Sequence, residues 1–370
     1  MAGGADKAPV GSMVREPGKA TMREGQETVP VGEISREASK SEGTVKRPRA
    51  AVLLSGGLDS LLAAELLRRC GVEVVGICFV TPFFGSAKAE RAAARLGVPL
   101  RVVDITERHL EVVKNPRYGY GRHMNPCIDC HALMVRVALE MLEELDAGFL
   151  ATGEVLGERP KSQNRQALEL VSRASGAGDL LLRPLSARLL PETRPEREGW
   201  VRREDLLDLR GRSRRRQMEL AAEWGIGEYE SPAGGCLLTD PQFSARLRDL
   251  LQKVPYCDGL DAELIRYGRL AWIGENLIVL GRRHEENLVL ARLALPGDLL
   301  LKEREMPGPT ALVRAYPRGR APDREAVGEA ARLLGIYGKR KRPLTLDEVC
   351  EAPREGGPGD SGAVSPPGAG

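Results

Sequence analysis

A glycine-rich string that follows a short apolar run is the first part of this sequence with residue types suited to chemistry. It consists of Ser55, Gly56, Gly57, Leu58, Asp59 and Ser60. Two glycines let the backbone approach a phosphate closely and adopt φ values that other residues avoid. The first N–H groups and the dipole of a following helix favour an anion, and the two serines add hydroxyl donors. The string therefore predicts a nucleotide phosphate site.

Asp59 is a carboxylate beside the predicted polyphosphate, where it would repel the ligand unless a cation lies between them. Mg²⁺ takes one or two protein carboxylates together with phosphate oxygens, so we expect Asp59 to hold Mg²⁺. The alternative is a tight turn between a strand and a helix, with Asp59 as the helix cap. The sequence has no Gly-x-x-x-x-Gly-Lys-Ser/Thr motif, which argues against a P-loop enzyme that cleaves the γ-phosphate of ATP.

Three cysteines have a spacing and neighbours that suggest reactive thiols. Cys127 and Cys130 form a Cys-x-x-Cys pair followed by His131, and Cys236 follows two glycines much later in the chain. Thiols near a helix start form thiolates more readily, and thiolates are nucleophiles and metal ligands. Three readings stay open: a [4Fe–4S] cluster on three thiolates, a persulfide on Cys236 resolved by the pair, or zinc with His131 as fourth ligand. The remaining cysteines are interpreted as small buried apolar residues: Cys70, Cys78, Cys257 and Cys350.

Short apolar runs alternate with segments of helical spacing and are expected to position these groups. The predicted order is a strand at 50–54, a helix at 58–70, a strand at 72–80, a helix at 87–96, a strand at 100–105, a helix at 128–145 and a strand at 148–152. Such alternation forms parallel sheets with right-handed crossovers, and ligands lie beyond the carboxyl ends of the strands. The pattern predicts an α/β fold. Two later runs, 272–280 and 287–293, are predicted strands of a smaller α+β C-terminal domain.

The glycine-rich string resembles the PP-loop of the ATP-pyrophosphatase superfamily, whose members release pyrophosphate and form an adenylated intermediate. Within that superfamily, the segment from Gly153 to Gln163 resembles bacterial 4-thiouridine synthases, which have Gly-Glu-x-Leu-Gly-Gln followed by Ser-Gln. The match departs at Glu158, where the synthases usually have Gln. The Asn-Pro-Cys-x-x-Cys pattern at 125–130 is closer to the wobble-uridine 2-thiolases. This combination of motifs favours tRNA thiolation over amide synthesis.

The resemblance implies a PP-loop fold, the adenine nucleotide α-hydrolase type of parallel sheet with flanking helices. Its implied cofactors are ATP and Mg²⁺, with a [4Fe–4S] cluster as an option for the cysteines. The residues that it assigns to ATP are the glycine-rich string, Gly153, Ser162 and Gln163. The residues that it assigns to catalysis are Asp59, Cys127, Cys130 and Cys236.

Short matches near the C-terminus resemble the RNA-binding domain of the NFACT family. They are the segments 281–287, 296–298 and 306–309. The resemblance implies that this domain grips tRNA. Basic runs at 210–216 and 339–342 are able to neutralise phosphates, although a solvated helix face and a solvated tail explain them equally well. Three arginines near Tyr316 are also expected to contact the RNA backbone: Arg314, Arg318 and Arg320.

Composition bounds the class of protein. The 370 residues include 55 basic and 52 acidic side chains, a net charge of +3 that is too balanced to demonstrate a nucleic-acid partner. No apolar run reaches the ~18 residues of a membrane span, so we expect a cytoplasmic protein with reduced cysteines. The expected organisation is a disordered leader at 1–47, a PP-loop domain at 48–240, a linker helix at 241–262, an NFACT-like domain at 263–342 and a disordered tail at 343–370.

These interpretations predict an ATP-dependent tRNA sulfurtransferase. A uridine carbonyl would attack the α-phosphate of ATP, and sulfur would then replace the activated oxygen through Cys127, Cys130 and Cys236. The expected partners are tRNA and a sulfur donor, either a persulfide carrier or sulfide, and no membrane. Two other hypotheses stay open: a PP-loop enzyme that adenylates a small molecule or forms an amide, and a non-catalytic RNA-binding protein whose nucleotide site is a relic.

Overall fold

The computed structural model describes residues 48–227, 229 and 236–354. Within these residues, no helix is long and apolar enough to cross a membrane. The predicted leader at 1–47 lies outside them, and so does the last part of the predicted tail, 355–370.

The first part of the described chain forms a five-stranded parallel sheet. Its elements are β1 Arg49–Leu53, α1 Leu58–Arg69, β2 Glu73–Val80, α2 Ala87–Leu96, β3 Leu100–Asp104, α3 Thr106–Lys114, α4 Cys127–Glu140, β4 Phe149–Thr152, α5 Arg165–Ser175 and β5 Leu181–Leu182, followed by α6 Arg194–Arg197 and α7 Arg215–Glu223. The strands lie in the order β3-β2-β1-β4-β5, and all pairings are parallel. Each element predicted between 50 and 152 is present, although α4 ends earlier than expected.

Strand β1 lies at the centre of this sheet and is buried on both faces. Val52 joins a core that includes Leu62 of α1, whereas Ala51 joins a second core that includes Leu133 of α4. Helices on both faces are what a parallel sheet requires. Because β2 lies on one side of β1 and β4 on the other, the loop after β1 sits where the strand order reverses, and ligands bind at such points.

The last part of the described chain forms a five-stranded antiparallel sheet with its own helices. Its elements are α8 Pro241–Lys253, α9 Gly259–Leu264, β6 Arg269–Ile273, β7 Asn276–Leu280, α10 His284–Leu293, β8 Leu299–Glu303, β9 Thr310–Ala315, α11 Arg324–Tyr337 and β10 Val349–Glu351. The strand order is β10-β8-β9-β7-β6, and all pairings are antiparallel. A parallel sheet with flanking helices and a smaller α+β unit confirm the predicted fold class.

The segment predicted as a linker helix, 241–262, is two helices that belong to a core. Leu247 of α8 is fully buried in a cluster with Leu277 of β7. The same cluster contains Phe83 and Leu110 from the first part of the chain. The first and second sheets are therefore joined by continuous apolar packing, and α8 and α9 lie within it.

Of the two strands predicted near the C-terminus, one is a helix and the other is divided in two by a turn. The run 287–293 is the larger part of α10. The sequence did not distinguish the two possibilities, because a short apolar run fits a helix as well as a strand. Glu285 and Glu286 in the first turn of α10 favour the helix through its dipole. The run 272–280 is the hairpin of β6 and β7, which turns at Gly274 with a φ of 52°.

The predicted disordered tail is wrong for its first residues. Thr345 and Glu348 form a capping box, and β10 then pairs with β8 at the edge of the second sheet. A strand of three residues is too short to show an alternating pattern, so the sequence offers no signal for it.

Candidate functional site

The glycine-rich string lies between β1 and α1 and is held in shape by its own polar groups. The Ser60 hydroxyl donates to the Gly57 carbonyl at 2.8 Å, and the Ser55 and Ser60 hydroxyl oxygens lie 3.3 Å apart. Gly56 has a φ of 79°, and a Cβ there would lie 2.4 Å from the backbone of Lys88 in α2. Only glycine fits that position. Leu58 is buried in the core, so only its backbone is available to a ligand.

Asp59 in the string belongs to a partly buried charged cluster with Glu158 and Arg214. Arg214 Nη2 donates to Asp59 Oδ2 at 3.0 Å, and Arg214 Nε lies 3.5 Å from Glu158 Oε1. Burial and the neighbouring charge of Asp59 raise the pKa of Glu158. Asp59 Oδ1 is buried without a hydrogen-bond partner among the described residues. A free carboxylate oxygen inside a predicted phosphate site fits an Mg²⁺ ion that also takes phosphate oxygens.

The other residues predicted to bind ATP shape the surroundings of the string. A Cβ on Gly153 would lie 2.5 Å from the Asp59 carbonyl carbon and the Ser60 nitrogen, so the chain after β4 presses directly on the string. Ser162 and Gln163 are buried. The Gln163 side chain accepts a hydrogen bond from the Arg159 backbone at 3.1 Å and thereby stabilises the turn that carries Glu158. Contact of Gly153, Ser162 and Gln163 with a nucleotide stays a prediction.

Cys130 is a buried thiol at the start of α4, in contact with a buried histidine. Its Sγ lies 3.1 Å from His109 Nε2, and the His109 ring lies 5.5 Å from that of Phe83 and 5.4 Å from that of Phe84. Burial lowers the pKa of His109 to about 4, so this imidazole is neutral at physiological pH. Burial raises the pKa of Cys130, and the neighbouring charges of Cys236 and Cys127 raise it further.

The three predicted cysteines come together although Cys236 is far away in sequence. The segment after Cys236 is held against the first part of the chain because Leu237 N donates to the Phe83 carbonyl at 3.2 Å. Met124 N donates to the Leu238 carbonyl at 3.3 Å. The Cys127 thiol donates to Asn125 Oδ1 at 3.1 Å. The three thiols are close enough to influence one another electrostatically.

The expectation of acidic thiols is wrong for this arrangement. Burial raises the pKa of Cys127, and it raises the pKa of Cys236 to about 11. Although Cys127 begins α4, loss of solvation outweighs the helix N-terminus. Among the described residues, no group of three or more His, Cys, Asp or Glu side chains could hold a metal ion. These side chains therefore do not fit an iron–sulfur cluster or zinc as they stand.

A buried polar network between the string and the cysteines is the functional feature that sequence reasoning missed. Glu154 Oε1 accepts from His131 Nδ1 at 2.9 Å, and Glu154 Oε2 accepts from Arg183 Nε at 2.9 Å and from Thr152 Oγ1 at 3.1 Å. Burial alone would raise the pKa of Glu154, but Arg183 and His131 outweigh it and hold the pKa at about 2. Glu154 lies in the segment that the motifs single out, yet its pairing with Arg183 spans 29 positions and has no local signal.

This network connects the glycine-rich string to the cysteines. Gly153 touches the string, Glu154 follows it in sequence, and His131 connects Glu154 to α4 directly after Cys130. His131 Nε2 has no hydrogen-bond partner among the described residues, and its side chain is 29% exposed. The site can therefore bind an anion, hold a cation, accept a proton and present thiols within one contiguous region.

The basic groups predicted to contact RNA are mostly engaged within the chain. Arg314 is fully buried and binds Asp298 and Asp261, so its predicted contact with RNA is wrong. Arg318 donates to Asp258 at 2.5 Å, and Arg320 donates to Glu275 at 3.2 Å. Of the run 339–342, Arg340 pairs with Glu303 and Glu305, and Arg342 pairs with Glu348. The run 210–216 contributes Arg214 to the charged cluster with Asp59 and Glu158.

Comparison with known proteins matches the first part of the chain. Residues 48–175 match the family model of the tRNA methyl transferase HUP domain. The tRNA-specific 2-thiouridylase MnmA of Methylobacterium nodulans is 34% identical over 138 residues, 32% of this chain and 36% of that protein. The MnmA of Nitrobacter winogradskyi is 35% identical over 145 residues, 34% of this chain and 36% of that protein. The chain thus spans little more than a third of the length of these curated relatives.

Two solved structures also resemble the chain. A predicted subunit of tRNA methyltransferase from Methanocaldococcus jannaschii is 17% identical, covers 48% of this chain and 76% of its own, and has a TM-score of 0.33. A 4-thiouridine synthetase–RNA complex with bound ATP is 24% identical, covers 59% of this chain and 52% of its own, and also has a TM-score of 0.33. Scores this low add nothing to the sequence comparison.

The resemblance to PP-loop tRNA thiolases that the motifs predict is confirmed for the first part of the chain by the family model and the relatives. The resemblance of the C-terminal part to the NFACT RNA-binding domain stays a prediction.

Proposed function

We propose that this protein is an ATP-dependent sulfurtransferase that adenylates a tRNA uridine and replaces the activated oxygen with sulfur. The single observation that carries the proposal is the contiguity of the site. The glycine-rich string contacts Gly153, and the next residue, Glu154, binds His131. Cys130 lies beside His131 in sequence, and Cys127 and Cys236 are near Cys130. An enzyme that forms an amide has no need of three gathered thiols at the nucleotide.

The first step is adenylation of the uridine. The carbonyl oxygen attacks the α-phosphorus of ATP, the bond between that phosphorus and the β-phosphate oxygen breaks, and pyrophosphate leaves. Serine hydroxyls and backbone N–H groups of the string bind the phosphates. Asp59 would hold Mg²⁺, which offsets phosphate charge when it is bound.

Adenylation also requires loss of the proton on the uridine N3, because the activated ring carries a C=N bond. His131 is the group suited to accept it. Its Nδ1–H is held by the ionised Glu154 at 2.9 Å, which leaves Nε2 as the acceptor atom. The Glu154 carboxylate then stabilises the imidazolium, as a carboxylate beside a catalytic histidine does in other enzymes.

The second step is sulfur transfer. The terminal sulfur of a persulfide on Cys236 attacks the activated carbon, AMP leaves with the former carbonyl oxygen, and N3 regains its proton from His131. The Cys130 thiol passes its proton to the neutral His109, whose Nε2 lies 3.1 Å from the Cys130 Sγ, and attacks Cys236 Sγ, which breaks the S–S bond and releases thiouridine. A Cys130–Cys236 disulfide remains, and an external thiol reductant restores both thiols. The sulfur donor supplies the sulfane sulfur for each turnover.

The C-terminal sheet and its helices are proposed to bind tRNA. The basis is the NFACT resemblance and the shared core that fixes this sheet to the first part of the chain. Binding through the phosphates of tRNA would make the affinity for tRNA fall as the salt concentration rises.

The test is a reaction of the purified full-length chain with unmodified tRNA, ATP, Mg²⁺ and either sulfide or a persulfide donor. Pyrophosphate release and thiolated nucleosides by mass spectrometry are the readouts. We expect Cys236→Ser to release pyrophosphate without thiolation, whereas the control Cys350→Ser, outside the site, behaves as wild type. Thiolation that survives loss of all three site cysteines would contradict the proposal. Iron and sulfide bound to the protein after anaerobic purification would contradict the persulfide step.

A further inference from the structure

The charged cluster at Asp59 holds two buried atoms that lack partners. Asp59 Oδ1 and Arg214 Nε are two of only four buried side-chain N and O atoms without a hydrogen bond among the described residues. They belong to the same ion pair, whose side chains are 21% and 19% exposed. Buried polar groups are normally satisfied, so unpartnered atoms in one pair indicate a missing ligand.

Glu158 adds a second carboxylate to the cluster, which then has two acidic groups and one basic group. Its side chain is 12% exposed, and its Oε1 lies 3.5 Å from Arg214 Nε. Asp59 and Glu158 are therefore two carboxylates that share one guanidinium.

The position of the cluster decides which ligand it suits. Asp59 lies in the first turn of α1 beside the proposed phosphate site. Two carboxylates beside a polyphosphate form the oxygen-rich surroundings that Mg²⁺ prefers. A guanidinium is a monocation with directed N–H donors, and here only its Nη2 makes a hydrogen bond to the carboxylates. It neutralises them incompletely.

We propose that Arg214 holds the place of a divalent cation in the nucleotide-free protein, and that Glu158 joins Asp59 in binding this cation when ATP brings it. The inference rests on the proposed ATP site. When the cation is bound, the released guanidinium is free to contact phosphate, which its planar donors suit well. Asp59 and Glu158 thus have a cationic partner in both states, and the cation strengthens nucleotide binding.

Binding of Mn²⁺ alone, followed by electron paramagnetic resonance, tests the place-holding role without nucleotide or tRNA. We expect Arg214→Gln to bind Mn²⁺ about tenfold more tightly than wild type, a difference of about 1.4 kcal/mol. The double variant Arg214→Gln/Glu158→Gln should lose that gain. Arg216→Gln is the matched control, because it lies two residues later, in the first turn of α7, and its side chain is 56% exposed. No gain in Arg214→Gln, or a gain that persists in the double variant, would overturn the proposal.

Calorimetric titration with ATP supplies a second readout if Arg214→Gln does not fold. Glu158→Gln should weaken binding of the Mn²⁺–ATP complex about tenfold and should not weaken binding of ATP in the presence of a chelator. Equal affinities of wild type and Glu158→Gln for Mn²⁺–ATP would remove Glu158 from the site. Failure of the thiolation proposal would leave both binding measurements unchanged, so the two outcomes are distinguishable.

Discussion

Replacing Arg183 with methionine is expected to destabilise the first part of the chain, because it leaves Glu154 as an unpaired buried charge. The side chains of Arg183 and Glu154 are 6% and 7% exposed. The pKa of Glu154 falls from the ordinary 4.5 to about 2, which corresponds to about 3 kcal/mol. Arg183 also donates to Ser172 Oγ at 3.0 Å and to the Leu168 carbonyl at 2.9 Å. The total of about 3–5 kcal/mol agrees with the cost of breaking buried ion pairs.

The effect of pH on this variant follows from the sign of the shift. In the wild type, the depressed pKa of Glu154 contributes stability above pH 4.5, and this contribution is lost as the pH falls towards about 2. In Arg183→Met, burial dominates and raises the pKa of Glu154, so the carboxyl can be protonated in the folded state. The deficit relative to wild type should therefore be largest at pH 7 and shrink as the pH approaches 4.5.

Urea unfolding followed by tryptophan fluorescence at pH 7 and pH 5 measures both effects. Trp200 reports on this region because its ring lies 6.1 Å from that of Phe149 in β4. The matched control is Arg173→Met on α5, whose partner Glu169 lies 3.9 Å away with both side chains at least 65% exposed. The control should lose less than about 1 kcal/mol. A loss in Arg183→Met no larger than that of the control, or one independent of pH, would refute the reasoning.

Three further predictions concern the site. Gly153→Ala should weaken ATP binding at least about tenfold in calorimetry, because its Cβ would lie 2.5 Å from the backbone of the string. The control Gly328→Ala should bind ATP as the wild type does, because a Cβ there meets open space. Alkylation of Cys236 should be slow at pH 7 and accelerate about tenfold per pH unit up to pH 9, because its pKa is raised to about 11; a plateau by pH 8 in peptide mass spectrometry would contradict this. His131→Asn should slow pyrophosphate release about 100-fold or more with unchanged ATP affinity, and equal release rates would exclude it as the proton acceptor.

Much of the first sheet could be predicted from the sequence because its signals are local. Each strand from β1 to β4 is a short apolar run that ends in turn residues, and the helices between them carry helical spacing. The string of two glycines, an aspartate and serines is compact enough to be recognised as a phosphate loop. The order of the strands, however, follows from pairing between distant segments.

The C-terminal elements could not be predicted as well because they depend on tertiary context. The run 287–293 suits either a helix or a strand, and burial of Leu290 against the second sheet decides for the helix. β10 exists only because β8 offers an edge for it. Arg314 could not be told from an RNA-binding arginine until Asp298 and Asp261 were seen to enclose it.

The site was predictable in its residue types but not in its electrostatics. Cys127, Cys130 and Cys236 could be chosen by their neighbours, yet the raised pKa values come from burial that no local pattern reveals. The pairing of His131 with Glu154 joins residues 23 positions apart. It depends on how α4 packs beside β4.

The central claim is that the oxygen lost from the uridine leaves on AMP. The most direct measurement is a single-turnover reaction of the wild-type chain with tRNA that carries ¹⁸O at the uridine carbonyl, in the presence of ATP, Mg²⁺ and a persulfide donor. We expect thiouridine together with AMP that contains one ¹⁸O atom. Thiouridine accompanied by unlabelled AMP would contradict it.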